Sequence, residues 1–574
     1  MTTATGIFLE ARDLLHRLRT DQPAACAQFR WPDFSPVGGR FNWAHDWFDV
    51  QARGNARPAL RLIQETEAGP KETSITFTEL AERSTRIGAW LQAHGVQPGD
   101  RVLLMLGNVL PLWETMLACI KIGAVLVPTS QQCTLADLAD RIVRGNARHV
   151  LADAAGAEKF ARMPETAALK VKLVYSTDGA TQPGWTPFEE ARSGSAKLAR
   201  PATLATDPLL LYFTSGTTAK PKLVLHTQQS YPVGHLSTMF WIGLQQGDVH
   251  QNISSPGWAK HAWSSFFAPW NAGATIVMHD TPRFSAKREI ELLRQAAINT
   301  MCCPPTVWRM LVLEPLGEKP AALRELLSAG EPLNPEVIEQ VQRAWGITVR
   351  DGFGQTETTA QIGNGPGQLV KNGSMGRPLP GYQVVLLDHA GREAAEGEAA
   401  LRLGKDRPLG LMEGYLDDPE RTAAVMANGY YRTGDEAARD ADGYYLYVGR
   451  GDDVFKSSDY RISPFELESV LIEHPAVAEA AIVPSPDDLR LSVAKAFIVL
   501  KPGFAPGRQL AGEILAFAKE KLAPYKRIRR IEFSELPKTI SGKIRRVQLR
   551  AQEKEKRTGG TRGPMEFWLE DFGG

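Results

Sequence analysis

The chain has 574 residues, beyond the size at which one hydrophobic core keeps growing, so at least two domains are expected. Its 43% hydrophobic and 23% charged residues make an ordinary globular composition, and Lys+Arg 66 against Asp+Glu 65 leaves a net charge of +1. That balance gives no electrostatic case for nucleic acid or an anionic membrane as partner.

The N-terminus MTTATGIFLEARDLLHRLRT carries acidic residues where an export signal has an uninterrupted apolar core, so no export signal is expected. The five cysteines, Cys26, Cys119, Cys133, Cys302 and Cys303, are odd in number and lack metal-binding spacing. Free thiols in a reducing cytosol account for them most simply, which predicts a cytoplasmic protein. The most apolar stretch, Val102 to Val127, is broken by Asn108, Glu114 and Lys121, and so reads as buried strand and helix instead of a membrane span.

From Arg101 short β-branched runs alternate with amphipathic stretches. RVLLML, a helical pattern through Trp113 to Ile120, AVLVP, a second helical pattern through Leu135 to Ile142, and HVLAD follow in turn. VHQNIS, ATIVMH and NTMCCP resume the alternation further on. Strands spaced by helices of this length predict βαβ units in two mostly parallel, doubly wound α/β regions, with ligand loops at the strand ends.

Between them lies LLLYFTSGTTAKPKLVLH, residues 209 to 226, in which two strand-forming runs flank Thr214, Ser215, Gly216, Thr217, Thr218, Lys220 and Lys222. Hydroxyl donors, a glycine that lets backbone N–H groups approach, and two ammonium groups are what a polyphosphate needs in place of water and counterions. No Walker A pattern can be drawn through it. A Ser/Thr-rich hairpin loop with solvated lysines is the plainer reading of this stretch alone.

Ser255 to Asp280 is crowded with Trp258, Trp263, Phe266, Phe267 and Trp270. Singly each suits core packing; together, beside Lys260 and His261, they also suit the wall of a pocket for an apolar acid. SAGEPLN, residues 328 to 334, reads as a turn around Gly330, Glu331 and Pro332. In DGFGQTET, residues 351 to 358, a strand over Ile347 to Val349 is expected to deliver a loop with Gln355, Thr356 and Glu357 at its tip. Thr356 can donate to a phosphate oxygen, and Glu357 offers a hard oxygen suited to Mg²⁺.

Thr433-Gly434-Asp435 reads as a tight turn presenting a carboxylate, either structural or accepting two hydrogen bonds from a ribose diol. Beyond it, a helix (Pro464 to Glu473), strands (Val477 to Val483 and Val493 to Leu500), a helix (Gln509 to Leu522) and a strand (Ile528 to Phe533) predict a small α+β module. Its end, PKTISGKIRR, puts Lys543 on a flexible basic turn; KRIRR at 526 to 530 is a second basic run, and MEFWLEDFGG has no assigned role.

TSGTTAKPK closely resembles the phosphate loop of the adenylate-forming enzymes, with Ala219 where that family has glycine before Lys-Pro-Lys. With DGFGQTET, the TGD segment and PKTISGKIRR the resemblance covers about residues 40 to 550 and comes nearest to the medium-chain acyl-CoA synthetases. It implies an α/β fold: a large N-terminal domain of doubly wound α/β subdomains plus a β-rich subdomain, residues 1–451, and a small mobile α+β C-terminal lid, residues 452–574, pivoting on Asp452.

Carried over position by position, it implies ATP or AMP contacts from Thr214 to Thr218, Lys220, Lys222, Gly330, Glu331, Pro332, Asp351, Gly352, Phe353, Gly354, Gln355, Thr356, Asp435 and Arg450. It implies Mg²⁺ on Glu357, catalytic roles for Thr356, Glu357 and Lys543, and an acyl pocket of Trp258, Lys260, Trp263 and Gly354. Ser458, Asp459, Tyr460 and Arg461 fall in the segment that approaches coenzyme A, with Asp459 where the family commonly has glycine. Acetyl-CoA synthetases carry tryptophan at the position of Gly354, so a glycine implies room for acids larger than acetate.

The activity implied is AMP-forming acyl-CoA synthesis in fatty acid metabolism: a medium-chain, branched or aryl carboxylic acid and ATP give acyl-adenylate and pyrophosphate, and coenzyme A then gives acyl-CoA and AMP. Transfer to a carrier protein, or a nucleotide-binding homologue without turnover, are the alternatives. The oligomeric state is not legible, a homodimer being one allowed assembly.

Overall fold

The computed structural model describes residues 2–66, 69–214, 220–281, 283–457, 460–487, 490–538 and 543–572. The chain divides into two compact units, residues 1–384 with 401–431, and residues 385–400 with 432–574.

The first unit contains two sheets. In one, the strands Val349–Gly354, Glu325–Ala329, Thr300–Cys303, Val249–Asn252, Thr275–Asp280 and Pro58–Thr66 lie side by side and parallel. Antiparallel strands, Ala360–Gly363 and Ser374–Pro378 at one end and Gly69–Thr76 at the other, extend it. In the second sheet Pro208–Thr214, Val125–Pro128, Arg101–Met105, Ala147–Asp153, Val171–Tyr175 and Thr186–Pro187 are parallel, and Lys222–Thr227 and Gly414–Tyr415 add antiparallel strands. The expected doubly wound arrangement is present; the antiparallel additions come from hairpin returns and, for Gly414–Tyr415, from a distant segment, neither of which strand alternation alone reveals.

The long apolar stretch forms a strand and the buried helix Leu110–Ile122, begun by Pro111 and ended by Gly123 at φ +73°. Its charges are paired inside: Glu114 meets Arg192 at 2.8 Å and Lys121 meets Asp49 at 2.7 Å. Among the described residues no helix is long and apolar enough to cross a membrane. All five cysteines are free, four of them buried.

The second unit holds the strands Glu393–Ala394, Val384–Leu387, Glu396–Arg402, Tyr430–Arg439 and Tyr445–Arg450, and a four-stranded sheet of Val477–Asp487, Leu491–Leu500, Ile528–Phe533 and Glu566–Trp568. Helices Pro464–Ile472, Arg508–Lys521 and Arg546–Thr558 complete the α+β module expected there. The core of this sheet is apolar, with Leu467, Ile482, Ile498, Ile514 and Ile531 essentially dry. The tail does have a place: residues 566–568 pair antiparallel with 530–532.

Candidate active site

In the first unit the strands Pro208–Thr214 and Lys222–Thr227 are register partners up to Thr214 and Lys222, so the expected cradle is the connection of a hairpin. Ser215, Gly216, Thr217, Thr218 and Ala219 lie outside the described residues; Lys220 is exposed. The Lys222 ammonium lies 3.8 Å from a Glu357 carboxylate oxygen and 3.4 Å from the Tyr415 hydroxyl. Tyr415 in turn donates to the same Glu357 oxygen at 2.9 Å. The phosphate-loop and DGFGQTET motifs, some 135 residues apart by number (357 less 222), therefore meet at one point.

The DGFGQTET segment is not a loop from Asp351 onward. Its strand runs Val349–Gly354, and pairing with residues 325–329 and 360–363 carries the ladder through the glycines. The turn comes at 355–358, where the Gln355 amide donates to the Thr358 hydroxyl at 3.1 Å. Gln355 also accepts from Tyr431 at 2.9 Å. His226, fully buried, faces the Thr356 carbonyl at 2.7 Å and Ser230 at 3.0 Å. Burial holds this imidazole near pKa 4, so it is neutral and donates from Nε2 to the Thr356 carbonyl, with Nδ1 accepting from Ser230. No motif signals His226, Tyr415 or Tyr431, because each acts across strands and not along the chain.

Asp351 ties the Gly330 turn to this strand. One carboxylate oxygen accepts from the Leu333 amide at 3.1 Å and the other from the Gly352 amide at 2.9 Å. Burial raises its pKa to about 7, against the pull of those two amides and of Lys260. Gly330 sits at φ +111° with open space where a side chain would project, which suits a flat ring lying along Glu331 and Pro332. Phe353, in the strand next to Gly352, is half-buried.

Lys260 and Trp258 are half-buried, and the Lys260 ammonium donates to the Ala329 carbonyl at 3.1 Å, at the end of the strand before Gly330. Trp263 is buried and donates from its indole to the Tyr231 hydroxyl at 2.8 Å. Its ring fills the space that a side chain at 354 would need: a Cβ there would come within 2.5 Å of Trp263 and 2.3 Å of the Thr359 carbonyl. A tryptophan from another segment thus occupies the space beside this glycine.

In the second unit Thr433, Gly434 and Asp435 lie inside the strand Tyr430–Arg439, whose alternating burial explains why they are not a free turn. Gly434 has φ +75° and its amide donates to Glu398 at 2.8 Å. Asp435 is register partner to Arg450; its carboxylate accepts from Arg450 at 3.0 Å and from Tyr447 at 3.0 Å.

Asp452 is exposed. Ser458 and Asp459 lie outside the described residues; Tyr460 and Arg461 belong to the strand Tyr460–Ile462, paired with Phe455–Ser457. Lys543 is exposed, Lys538 forms a bridge with Ile544, and the Arg545 amide donates to the Pro537 carbonyl at 2.8 Å; residues 539–542 lie outside the described residues. The run 526–530 is held inside its own module, Lys526 on Glu466 at 2.5 Å and Arg530 over the Trp568 ring at 4.2 Å. Among the described residues no three His, Cys, Asp or Glu side chains gather into a metal cage. A lone carboxylate such as Glu357 nevertheless fits Mg²⁺, which is commonly held by one or two carboxylates together with substrate phosphates.

Two family descriptions match the chain: AMP-binding enzyme over residues 48–416, and AMP-binding enzyme C-terminal domain over residues 466–543. The 4-hydroxybutyrate–CoA ligase 1 of Metallosphaera sedula is 42% identical over 538 residues, 92% of this chain and 93% of that protein. The human mitochondrial acyl-coenzyme A synthetase ACSM5 is 40% identical over 89% of this chain and 90% of its own length. Among solved structures, the anthranilate CoA ligase AuaEII in complex with anthranoyl-AMP superposes with TM-score 0.82 at 27% identity, covering 92% of this chain and 100% of that one. A benzoate CoA ligase from Burkholderia xenovorans superposes with TM-score 0.76 at 31% identity, covering 89% and 100%. The chain belongs to the AMP-binding enzyme family, the adenylate-forming superfamily, and is an acid–thiol ligase of the AMP-forming type.

Proposed function

We propose that the protein joins a medium-chain, branched or aryl carboxylic acid to coenzyme A through an acyl-adenylate. The observation that carries this reading is the meeting of Lys222 with Glu357 and Tyr415, which sets a cation beside a hard anion at the mouth of the hairpin connection. A carboxylate attacking the α-phosphate of ATP brings two anions together, so the reaction needs neutralised charge more than an acid or base. Thr214, Lys220, Lys222 and the residues between them would hold the β and γ phosphates; Gly330 to Pro332 and residues 351–356 would take the adenosine, and Asp435 with Arg450 the ribose.

The new bond forms between a carboxylate oxygen and the α-phosphorus, and the bond to the β-phosphate oxygen breaks with release of pyrophosphate. Lys543 would neutralise the attacking carboxylate and α-phosphate. Magnesium held on Glu357 would supply charge neutralisation for the leaving pyrophosphate. In the second step the coenzyme thiolate attacks the acyl carbonyl and AMP leaves. Rotation of a C-terminal domain, residues 452–574, about Asp452 would exchange Lys543 for the segment 458–461.

Acid-dependent release of AMP with stoichiometric loss of free coenzyme A thiol, measured across straight, branched and aryl acids, tests this. Pyrophosphate release without thiol loss would transfer the second step to a carrier protein. Absence of both with every acid would overturn the reading.

A further inference from the structure

Immediately after Asp452, Asp453 is gripped from the far end of the same unit. Arg550 donates to one of its carboxylate oxygens and an Arg546 guanidinium nitrogen lies 3.8 Å from the other. The two arginines stand four residues apart on the helix Arg546–Thr558, one turn on one face. Arg546 also makes a forked pair with Glu468, at 3.1 and 2.6 Å, and Glu468 accepts from the Ile482 amide at 2.8 Å. Glu468 is buried and the other three are half-buried: the side chains of Glu468, Asp453, Arg546 and Arg550 are 7%, 16%, 23% and 23% exposed. A forked guanidinium–carboxylate pair fixes angle as well as distance.

The helix begins three residues after Lys543, and the residues just before it are held by the Lys538–Ile544 bridge and by the Arg545 amide on the Pro537 carbonyl. A continuous path of charge-assisted bonds and backbone pairing thus joins residue 453 to Ile544, the neighbour of Lys543, which lies about ninety positions further along the chain. We propose that Asp453 is a positioning residue for adenylation: with Arg546 and Arg550 it makes the first residue past the pivot and the helix behind Lys543 one rigid piece, so that rotation at 452 delivers Lys543 at a fixed place. This rests on the proposed role of Lys543.

The test uses the full-length protein, Asp453→Asn, and Arg550→Gln, which breaks the same pair from its other end should the first variant fold poorly. Acid-dependent pyrophosphate release is compared with thioester formation from supplied acyl-adenylate. A misplaced catalytic group of this kind costs about 10- to 100-fold in the adenylation kcat. The KM values for ATP and acid, and the rate of the second half-reaction, should stay within about twofold. The double variant should lose no more than either single one, and Asp453→Glu should recover part of the rate. Equal loss in both half-reactions, or adenylation at the wild-type rate in a folded variant, overturns the inference. If Lys543→Ala stops adenylation while Asp453→Asn does not, only the inference falls; if Lys543→Ala adenylates normally, the reading beneath it falls as well.

Discussion

Two charge clusters, one in each unit, look alike in composition and differ in how completely they are closed. In the C-terminal module Lys495, fully buried, meets Glu553 at 2.6 Å, Glu532 at 2.7 Å and Glu566 at 3.2 Å, while Arg557 meets Glu553 at 3.0 Å and Glu566 at 2.7 Å. Three arginines, 530, 557 and 562, stand over the Trp568 ring. In the large unit Lys222 is 21% exposed and stands 3.8 Å from Glu357, with Tyr415 bridging. The first cluster is closed by ion pairs within its own module around a fully buried ammonium, which suits a structural fastening. The second has its ammonium 3.8 Å from the carboxylate, and it sits where the strands Pro208–Thr214 and Lys222–Thr227 end, which suits charges meant to receive a ligand.

Substitution separates the two. Lys495→Ala leaves buried carboxylates without their ammonium, and removal of one partner from such a site costs about 3 to 5 kcal/mol. The urea midpoint of unfolding should drop sharply, while any protein that stays folded retains its adenylation rate. Lys222→Ala should do the reverse, slowing adenylation with little change in the urea midpoint, since its ammonium stands 3.8 Å from Glu357, beyond hydrogen-bond distance. Lys543→Ala is the kinetic extreme: loss of one preorganised charge lowers adenylation by about 10²- to 10³-fold, with unchanged melting and thioester formation from supplied acyl-adenylate. A Lys495 variant that melts normally, or a Lys222 variant that unfolds, would erase the distinction.

The same distinction explains what was legible in the chain. The periodicity of residues 101–153 and 464–533 gave strands and helices to within a few positions, because each pattern is a local consequence of one buried face. The phosphate loop and the 351–358 motif were visible because their residues are contiguous. Tyr415, Tyr431, Tyr447 and His226 were not, since cross-strand pairing brings them to Glu357, Gln355, Asp435 and Thr356. The tail escaped for a related reason. Glu566 and Trp568 look solvated in sequence, and only the sheet edge at 530–532 and the cations behind it give them partners.

Trp263 tests the boundary between the two kinds of site, being packed like core yet pressed against Gly354 in the expected acyl pocket. Trp263→Leu vacates ring volume without introducing a polar group. If the ring limits the acid, kcat/KM for bulkier acids should rise relative to short ones by about 10- to 200-fold, the range that one or a few methylenes command in an apolar pocket. A uniform decline across the acid panel, with lowered melting temperature, would make Trp263 core alone.

The smallest effect at neutral pH concerns acid. His226, His250 and His261 are held by burial near pKa 4, 3 and 3, and His235 well below its ordinary value, all in the large unit. Each is neutral when folded and takes up a proton on unfolding once pH falls below about 6.5, so the stability they share is present above that pH and declines as pH drops toward 4. Glu566 behaves otherwise. Burial raises its pKa, but the Gly563 amide, the Trp568 indole, Lys495 and Arg557 outweigh that and bring it to about 2. Its contribution is full above the ordinary carboxylate value of 4.5 and is lost only as pH approaches 2. Between pH 6.5 and 4.5, amide hydrogen exchange should therefore quicken around residues 226–261 before it does in the strands at 491–500 and 528–533. Simultaneous quickening in both units would mean that the buried histidines of the large unit do not set its acid limit.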